Sequence, residues 1–263
     1  MPFLERPEGR LFYDVTDIAP PWAEPRETVL FLHGLAIDSD IWLPWLPTLA
    51  PHYRIVRVDL RGFGRSFVPP AGAPWSMEAI AGDVRAVMAA VGAEKVHFVG
   101  ESTGGTVGLW LAVHQTEALA SLTTVSAAHR GGSIARARQL RDDVTRLGME
   151  RWSEALMAQR FHPGALPEPM WRWFHDVQRR ATPHACLDLL DMLVKVDLTS
   201  RLGEITTPTL IIAPDDSPFV SVESNVERLR AIPGARLQVI AGSRHGIAFS
   251  HGEQCAGVWL DML

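Results

Sequence analysis

The sequence predicts an α/β fold: a doubly wound, mostly parallel sheet with a helical lid inserted into it. Three observations carry this. Short, nearly continuous apolar runs alternate with segments of helical period, as strands covered by helices on both faces require. That alternation stops between about Arg130 and Arg201, where no strand signal occurs. A glycine-flanked serine, Gly100-Glu101-Ser102-Thr103-Gly104, stands between an apolar run and a helical one. The 263 residues suffice for one large domain with an insertion and a sizeable core. We therefore divide the chain into a core of residues 1–130 and 201–263 and a lid of residues 131–200.

The strand candidates are Arg10–Val15, Thr28–Leu32, Arg54–Val58, Lys95–Val99, Ser121–Val125, Thr209–Ala213 and Arg236–Ile240. Between them, Ser76–Val91 reads as a helix, because Ile80, Val84, Val87, Met88 and Val91 fall on one face and Gly92 closes it. In the strand-free block, helices are expected over Ile134–Leu147, Met149–Phe161, Glu168–Arg180 and Pro183–Val194. His162-Pro163-Gly164 ends the second, and Thr182-Pro183 starts the last with a cap and a first-turn proline. A helical block inserted between sheet strands is expected to cover the carboxyl ends of the strands, where open α/β sheets bind ligands. The ten arginines against six acids between residues 130 and 180 read as a solvated helix surface, with a preference for anionic substrates as the sharper alternative.

Composition excludes several function classes. Apolar residues make up 47% and charged residues 21%, with a net charge of −5, so nothing recommends nucleic acid or an anionic membrane as partner. No apolar run approaches the roughly 18 residues that cross a bilayer. The start, Met1-Pro2-Phe3-Leu4-Glu5-Arg6, lacks the pattern of a secretory signal, and the expected address is cytoplasmic. Cys186 and Cys255, in apolar surroundings, read as buried thiols. No metal-site spacing occurs, so neither a metal nor a cofactor is expected. The oligomeric state is left open, a homodimer being one option.

The serine pentapeptide is a G-x-S-x-G nucleophile elbow: a sharp strand-to-helix turn that projects the hydroxyl from a strained backbone. A serine nucleophile needs a base for its proton and donors for the oxyanion that follows. His245, in Gly242-Ser243-Arg244-His245-Gly246 just after the last strand, is the expected base, ahead of His251. Its protonation is expected to lower activity below about pH 6. The acid is sought after Thr209–Ala213, in Pro214-Asp215-Asp216-Ser217-Pro218. Asp216 is the choice, with Asp215 and then Glu223 as alternatives. The backbone N–H of Thr103, at the start of the helix, and that of Leu35, after His33-Gly34, are the expected oxyanion donors.

Together these segments closely resemble the α/β-hydrolase family. The resemblance rests on Leu32-His33-Gly34-Leu35, Asp59-Leu60-Arg61-Gly62-Phe63-Gly64-Arg65-Ser66, the elbow, Thr207-Pro208-Thr209-Leu210-Ile211-Ile212 and Gly242-Ser243-Arg244-His245-Gly246, and on the order nucleophile, acid, histidine. It implies a Ser102–Asp–His245 triad with Leu35 and Thr103 amides as oxyanion hole, and structural roles for Asp59 and Arg61. Two departures stand out. Pro214 replaces the usual glycine before the acid loop, and aligning Pro218 with the family's proline puts Ser217 in the acid slot. Glu101 stands where histidine is common. The expected function is a serine hydrolase cleaving a small carboxylic ester or lactone through an acyl-enzyme on Ser102. The alternatives are a C–C bond hydrolase of a diketone-like substrate, an acyltransferase, and a non-catalytic small-molecule receptor.

Overall fold

A computed structural model describes residues 2–134 and 137–262. Eight strands form one sheet: β1 (Phe3–Arg6), β2 (Gly9–Thr16), β3 (Thr28–Leu32), β4 (Arg54–Val58), β5 (Val96–Glu101), β6 (Leu119–Val125), β7 (Thr209–Pro214) and β8 (Arg236–Ile240). Their order is β1-β2-β4-β3-β5-β6-β7-β8. β1 pairs antiparallel with β2, and β2 with β4. Every further pairing, from β4–β3 to β7–β8, is parallel. The seven expected strands are present within a few residues. β1 was not among them: it is four residues long and half exposed, too short for a period to register.

The helices are α1 (Leu46–Leu49), α2 (Met77–Ala90), α3 (Thr103–His114), α4 (Ala137–Arg160), α5 (Glu168–Arg179), α6 (Pro183–Leu193), α7 (Val222–Ala231), α8 (Ile247–Ser250) and α9 (Gly252–Met262). Ser76 caps α2, its hydroxyl accepting from Ala79 N at 3.1 Å.

Alternation along each strand sorts the core into two layers. On one face Leu30, Leu32, Val56, Val58, Val96 and Phe98 pack with the apolar stripes of α2 and α3. On the other, Val29, Phe31, Ile55, Val99 and Val125 meet Trp42, Trp45, Ile247 and Trp259. All five residues of β3 are buried, as a strand at the centre of a twice-covered sheet must be.

Between β6 and β7 the chain forms α4, α5 and α6 with no strand among the described residues. The expected break between two helices is real: Gly148, at φ 72° and ψ 166°, interrupts α4 where residues 147 and 149 were to separate them. The expected start at Ile134 abuts residues 135 and 136, which lie outside the described residues. α4 packs on α5 and α6, and Leu140, Val144, Trp152 and Leu156 of α4 join the sheet's core cluster. No described helix is long and apolar enough to cross a membrane.

Candidate active site

Ser102 sits between β5 and α3 at φ 51° and ψ −114°, a conformation that L-residues rarely adopt. Its N–H donates to Val125 O on the neighbouring strand at 2.9 Å, so the sheet itself holds the turn. The turn is tight enough to require glycine on both sides. A Cβ on Gly100 would strike the Gly104 backbone, and one on Gly104 would strike Leu32 O.

His245 follows β8, and its ring reaches over the elbow. Nε2 lies 3.2 Å from Ser102 Oγ. The Phe219 ring meets the imidazole edge-on at 4.8 Å. The next residue fixes the loop, Gly246 N donating to Arg160 O at 3.0 Å. Burial, then the Arg160 guanidinium, push the His245 pKa down to about 3. Burial thus favours the neutral ring, the form that can accept a proton from Ser102.

Asp216 does not meet His245, which corrects the expectation for the acid. Its carboxylate turns outward to Arg244 Nε at 3.0 Å and His162 Nε2 at 3.5 Å. Asp215 accepts from Gly242 N and Ser243 N at 2.8 and 2.9 Å, and these bonds hold its carboxyl below the usual range. Glu223 lies in the first turn of α7 and is exposed. The group at His245 Nδ1 is the Ser217 hydroxyl, 3.3 Å away. The physical reason lies in the turn after β7: both aspartates are spent bracing the β8 loop, and the residue that faces the ring is the third after Pro214.

The loop after β3 forms the opposite wall. His33 is buried and locked, Nε2 accepting from Leu60 N at 2.9 Å, so that Nδ1–H donates to Gly34 O at 2.8 Å. Desolvation lowers its pKa and keeps this tautomer neutral. Gly34 allows close approach, because a Cβ there would lie 2.8 Å from Ser102 Cβ and collide with Glu101 Oε2. Leu35 and Thr103 line one cavity with Ser102 and His245. Asp59 accepts from Ser39 N at 2.9 Å and Arg65 N at 2.8 Å, and Arg61 pairs with buried Asp83. These contacts brace the loops that flank the site.

Two charged groups beside the serine carry roles that the sequence did not disclose. Glu101, 2% exposed, puts Oε1 3.6 Å from Arg160 Nη1 and 3.8 Å from His245 Nε2. Burial pushes its carboxyl up to about 7, against the opposing pull of Arg160. Arg160, the last residue of α4, is buried and donates from Nη2 to Leu35 O at 2.9 Å. One side chain thus ties the inserted helices to the elbow and to the loop after β3. Glu101 was visible as a departure in the motif, but nothing set Arg160 apart from the other arginines of its segment.

A narrow cavity of about 50 Å³ lies above Ser102. Its walls are Ile134, Leu140 and Leu156, Leu190 and Leu193 of α6, and Phe219 and Val220, with Arg160 the charged residue among them. As for metals, Glu150, Glu154 and His175 bring ligand atoms within 4.8 Å of one another on α4 and α5. Arg179 already engages Glu150 at 3.2 Å and Ser153 engages His175 at 2.8 Å, so neighbouring side chains already hold two of the three.

A strained serine after a parallel strand, a histidine after the last one and a cavity between them invite comparison with known proteins. A family model for the alpha/beta hydrolase fold matches residues 27–252. The chain belongs to this family. It is 28% identical over 228 residues to a protein of Agrobacterium fabrum named "Putative carbamate hydrolase RutD", spanning 84% of this chain and 86% of that one. It is 27% identical over 228 residues to 3-oxoadipate enol-lactonase 1 of Acinetobacter baylyi, spanning 84% and 82%. In structure it is similar to the enol-lactonase from Burkholderia xenovorans LB400, with a TM-score of 0.90, 21% identity and 99% of both chains covered. That last likeness speaks for the fold alone. Family and named relatives support a hydrolase on the α/β-hydrolase fold.

Proposed function

We propose that the chain is a serine hydrolase of small carboxylic esters or lactones that works through an acyl-enzyme on Ser102. The observation that carries this is the 3.2 Å approach of Ser102 Oγ to His245 Nε2 at the floor of an apolar cavity. The names of the relatives, a lactonase and a carbamate hydrolase, support attack on an acyl carbonyl.

In the proposed reaction Ser102 Oγ bonds to the carbonyl carbon as its proton passes to His245 Nε2. The π pair moves onto the carbonyl oxygen, which the Leu35 and Thr103 amides receive at the positive end of α3. Collapse breaks the bond to the leaving oxygen, which takes the proton from Nε2. A water then gives its proton to Nε2 and attacks the acyl carbon. Ser102 leaves with that proton, and the carboxylic acid is released. A lactone follows the same course with its leaving hydroxyl retained on the acyl chain. The apolar walls suit an uncharged acyl group, and α4–α6 serve as the lid that excludes bulk water.

A second reading, a non-catalytic receptor, is favoured by one observation: a neutral hydroxyl occupies the place of the acid. Incubation with a fluorophosphonate separates the two. A mass increase on Ser102, absent in Ser102→Ala, with hydrolysis of p-nitrophenyl acetate, is the expected result. An unlabelled serine selects the receptor.

A further inference from the structure

We propose that two tasks usually borne by one catalytic acid are divided here: the Ser217 hydroxyl holds the His245 ring, while the Glu101 carboxylate supplies the negative charge that the imidazolium requires. This rests on the proposed function.

An acid beside a catalytic histidine fixes the ring and stabilises its charged form. Ser217 is equipped for the first task only. Its oxygen already accepts from Phe219 N at 3.3 Å and Val220 N at 3.2 Å, which anchors it firmly beneath Nδ1. As a hydroxyl it can also accept from Nδ1–H, which leaves Nε2 bare for Ser102, but it carries no charge. A stabilising charge has to come from elsewhere.

Asp215 and Asp216 are committed to the β8 loop and to Arg244. The carboxylate that remains close to the ring is Glu101. Its Oε1 stands 3.8 Å from Nε2, and its Oε2 is buried against the Gly34 backbone. Both side chains are nearly excluded from water, so their mutual field is screened far less than at a surface. Glu101 need take no proton. An imidazolium formed when Nε2 accepts from Ser102 would meet a carboxylate on the same side, and would lose that partner's help as it reprotonates the leaving group.

The groups facing Glu101 are few. Arg160 approaches from α4, His245 from the loop after β8, and Gly34 by its backbone from the loop after β3. Ile37, Ile41, Phe174 and Phe249 line the same small cavity and do not titrate. Cys186 of α6 lies near Arg160, and burial pushes its thiol up to about 12, so it stays neutral. With His245 near 3 and Glu101 near 7, the group that ionises in the assay range is the carboxylate. Acylation should therefore rise with pH through about 7.

The test measures fluorophosphonate labelling of Ser102 and kcat/KM for p-nitrophenyl acetate against pH, in four proteins: parent, Glu101→Gln, Ser217→Asp and the double variant. Glu101→Gln should slow labelling about 30-fold at pH 8 and abolish the rise near pH 7, while Ser217→Asp should accelerate labelling several-fold. With the aspartate under Nδ1, Glu101→Gln should cost less than about 3-fold, because the charge is then supplied twice. Equal losses in both backgrounds, a surviving limb near pH 7, or labelling at the parent rate each overturn the proposal. Removing one partner of a buried pair can prevent folding. Ser217→Asp with Glu101 intact then decides alone: the limb near pH 7 should shrink, and an unchanged limb overturns the inference. A Ser102 unreactive in every variant sinks the proposed function as well, whereas a reactive Ser102 indifferent to Glu101 sinks only this division of labour.

Discussion

The Nδ1 atom of His245 lies 3.3 Å from Ser217 Oγ, and Asp216, one residue earlier in the same turn, points away to Arg244. A single-residue offset after β7 thus separates a ring held by a neutral hydroxyl from one held by a carboxylate. It makes the two aspartates dispensable for chemistry in different ways. Asp216→Asn should leave kcat/KM within about 3-fold of parent, since it weakens only exposed contacts to Arg244 and His162. A hundredfold loss would return Asp216 to the site.

Asp215 is a structural acceptor, and its removal should appear as instability. Asp215→Ala strips Gly242 N and Ser243 N of their partner and should cost about 1–2 kcal/mol in urea melts at pH 7. The folded carboxyl titrates below its ordinary value. Its contribution is therefore present above the unfolded pKa near 3.8 and is lost as pH falls through the lower folded value. Parent and variant should converge in stability only once pH has fallen below that lowered folded value. A gap that persists there would assign the loss to something other than these charged bonds.

Ser102→Ala should lower hydrolysis of p-nitrophenyl acetate by more than about a thousandfold, with the fold intact, because neither the turn nor the sheet bond to Val125 uses the hydroxyl. Residual activity above a thousandth would count against a serine nucleophile.

Much of this was legible in the sequence. The elbow announced itself because three neighbouring backbones converge on Gly100 and Gly104, and only glycine fits there. The parallel strands were plain because both faces are buried, as in the wholly buried Thr28–Leu32. The acid was not legible, for Asp215, Asp216 and Ser217 differ only in which way a turn aims each side chain, and that is set by the β8 loop some 25 residues downstream. Arg160 was hidden for a similar reason: its partners, Glu101 and Leu35, lie far away in sequence. A chain-local pattern cannot reveal a contact made only after the inserted helices dock.

His129 should contribute to the loss of stability in mild acid. It is fully buried with both ring nitrogens lacking hydrogen-bond partners, and burial, then Arg228, push its pKa down to about 4. His245 is lowered likewise, to about 3. Unfolding frees both rings to bind protons at their ordinary value of 6.5, so stability falls as pH drops below 6.5 towards those folded values. Glu101 works the other way: with its carboxyl raised from 4.5 to about 7, it favours the fold at the acid end of that window. His129→Gln removes one of the two titrating rings. The stability difference between pH 7 and pH 5 should shrink by about 1–2 kcal/mol in paired urea melts. An undiminished difference would show that this imidazole does not drive acid unfolding.

The acyl cavity offers a test of specificity. Leu193 of α6 is 5% exposed and forms part of the wall facing Ser102. Leu193→Ala removes three carbons from that wall without touching a polar group. Truncation should cost about 2–4 kcal/mol of stability, since surrounding side chains close such a space only in part. The same space admits a longer acyl chain, and a methylene group fitted into an apolar pocket is worth about tenfold or more in discrimination. The ratio of kcat/KM for p-nitrophenyl hexanoate to that for the acetate should therefore rise about 10-fold. A ratio that stays put while stability falls would mean that the acyl chain lies elsewhere, and that the leaving group, not the acyl group, occupies the space beneath α6.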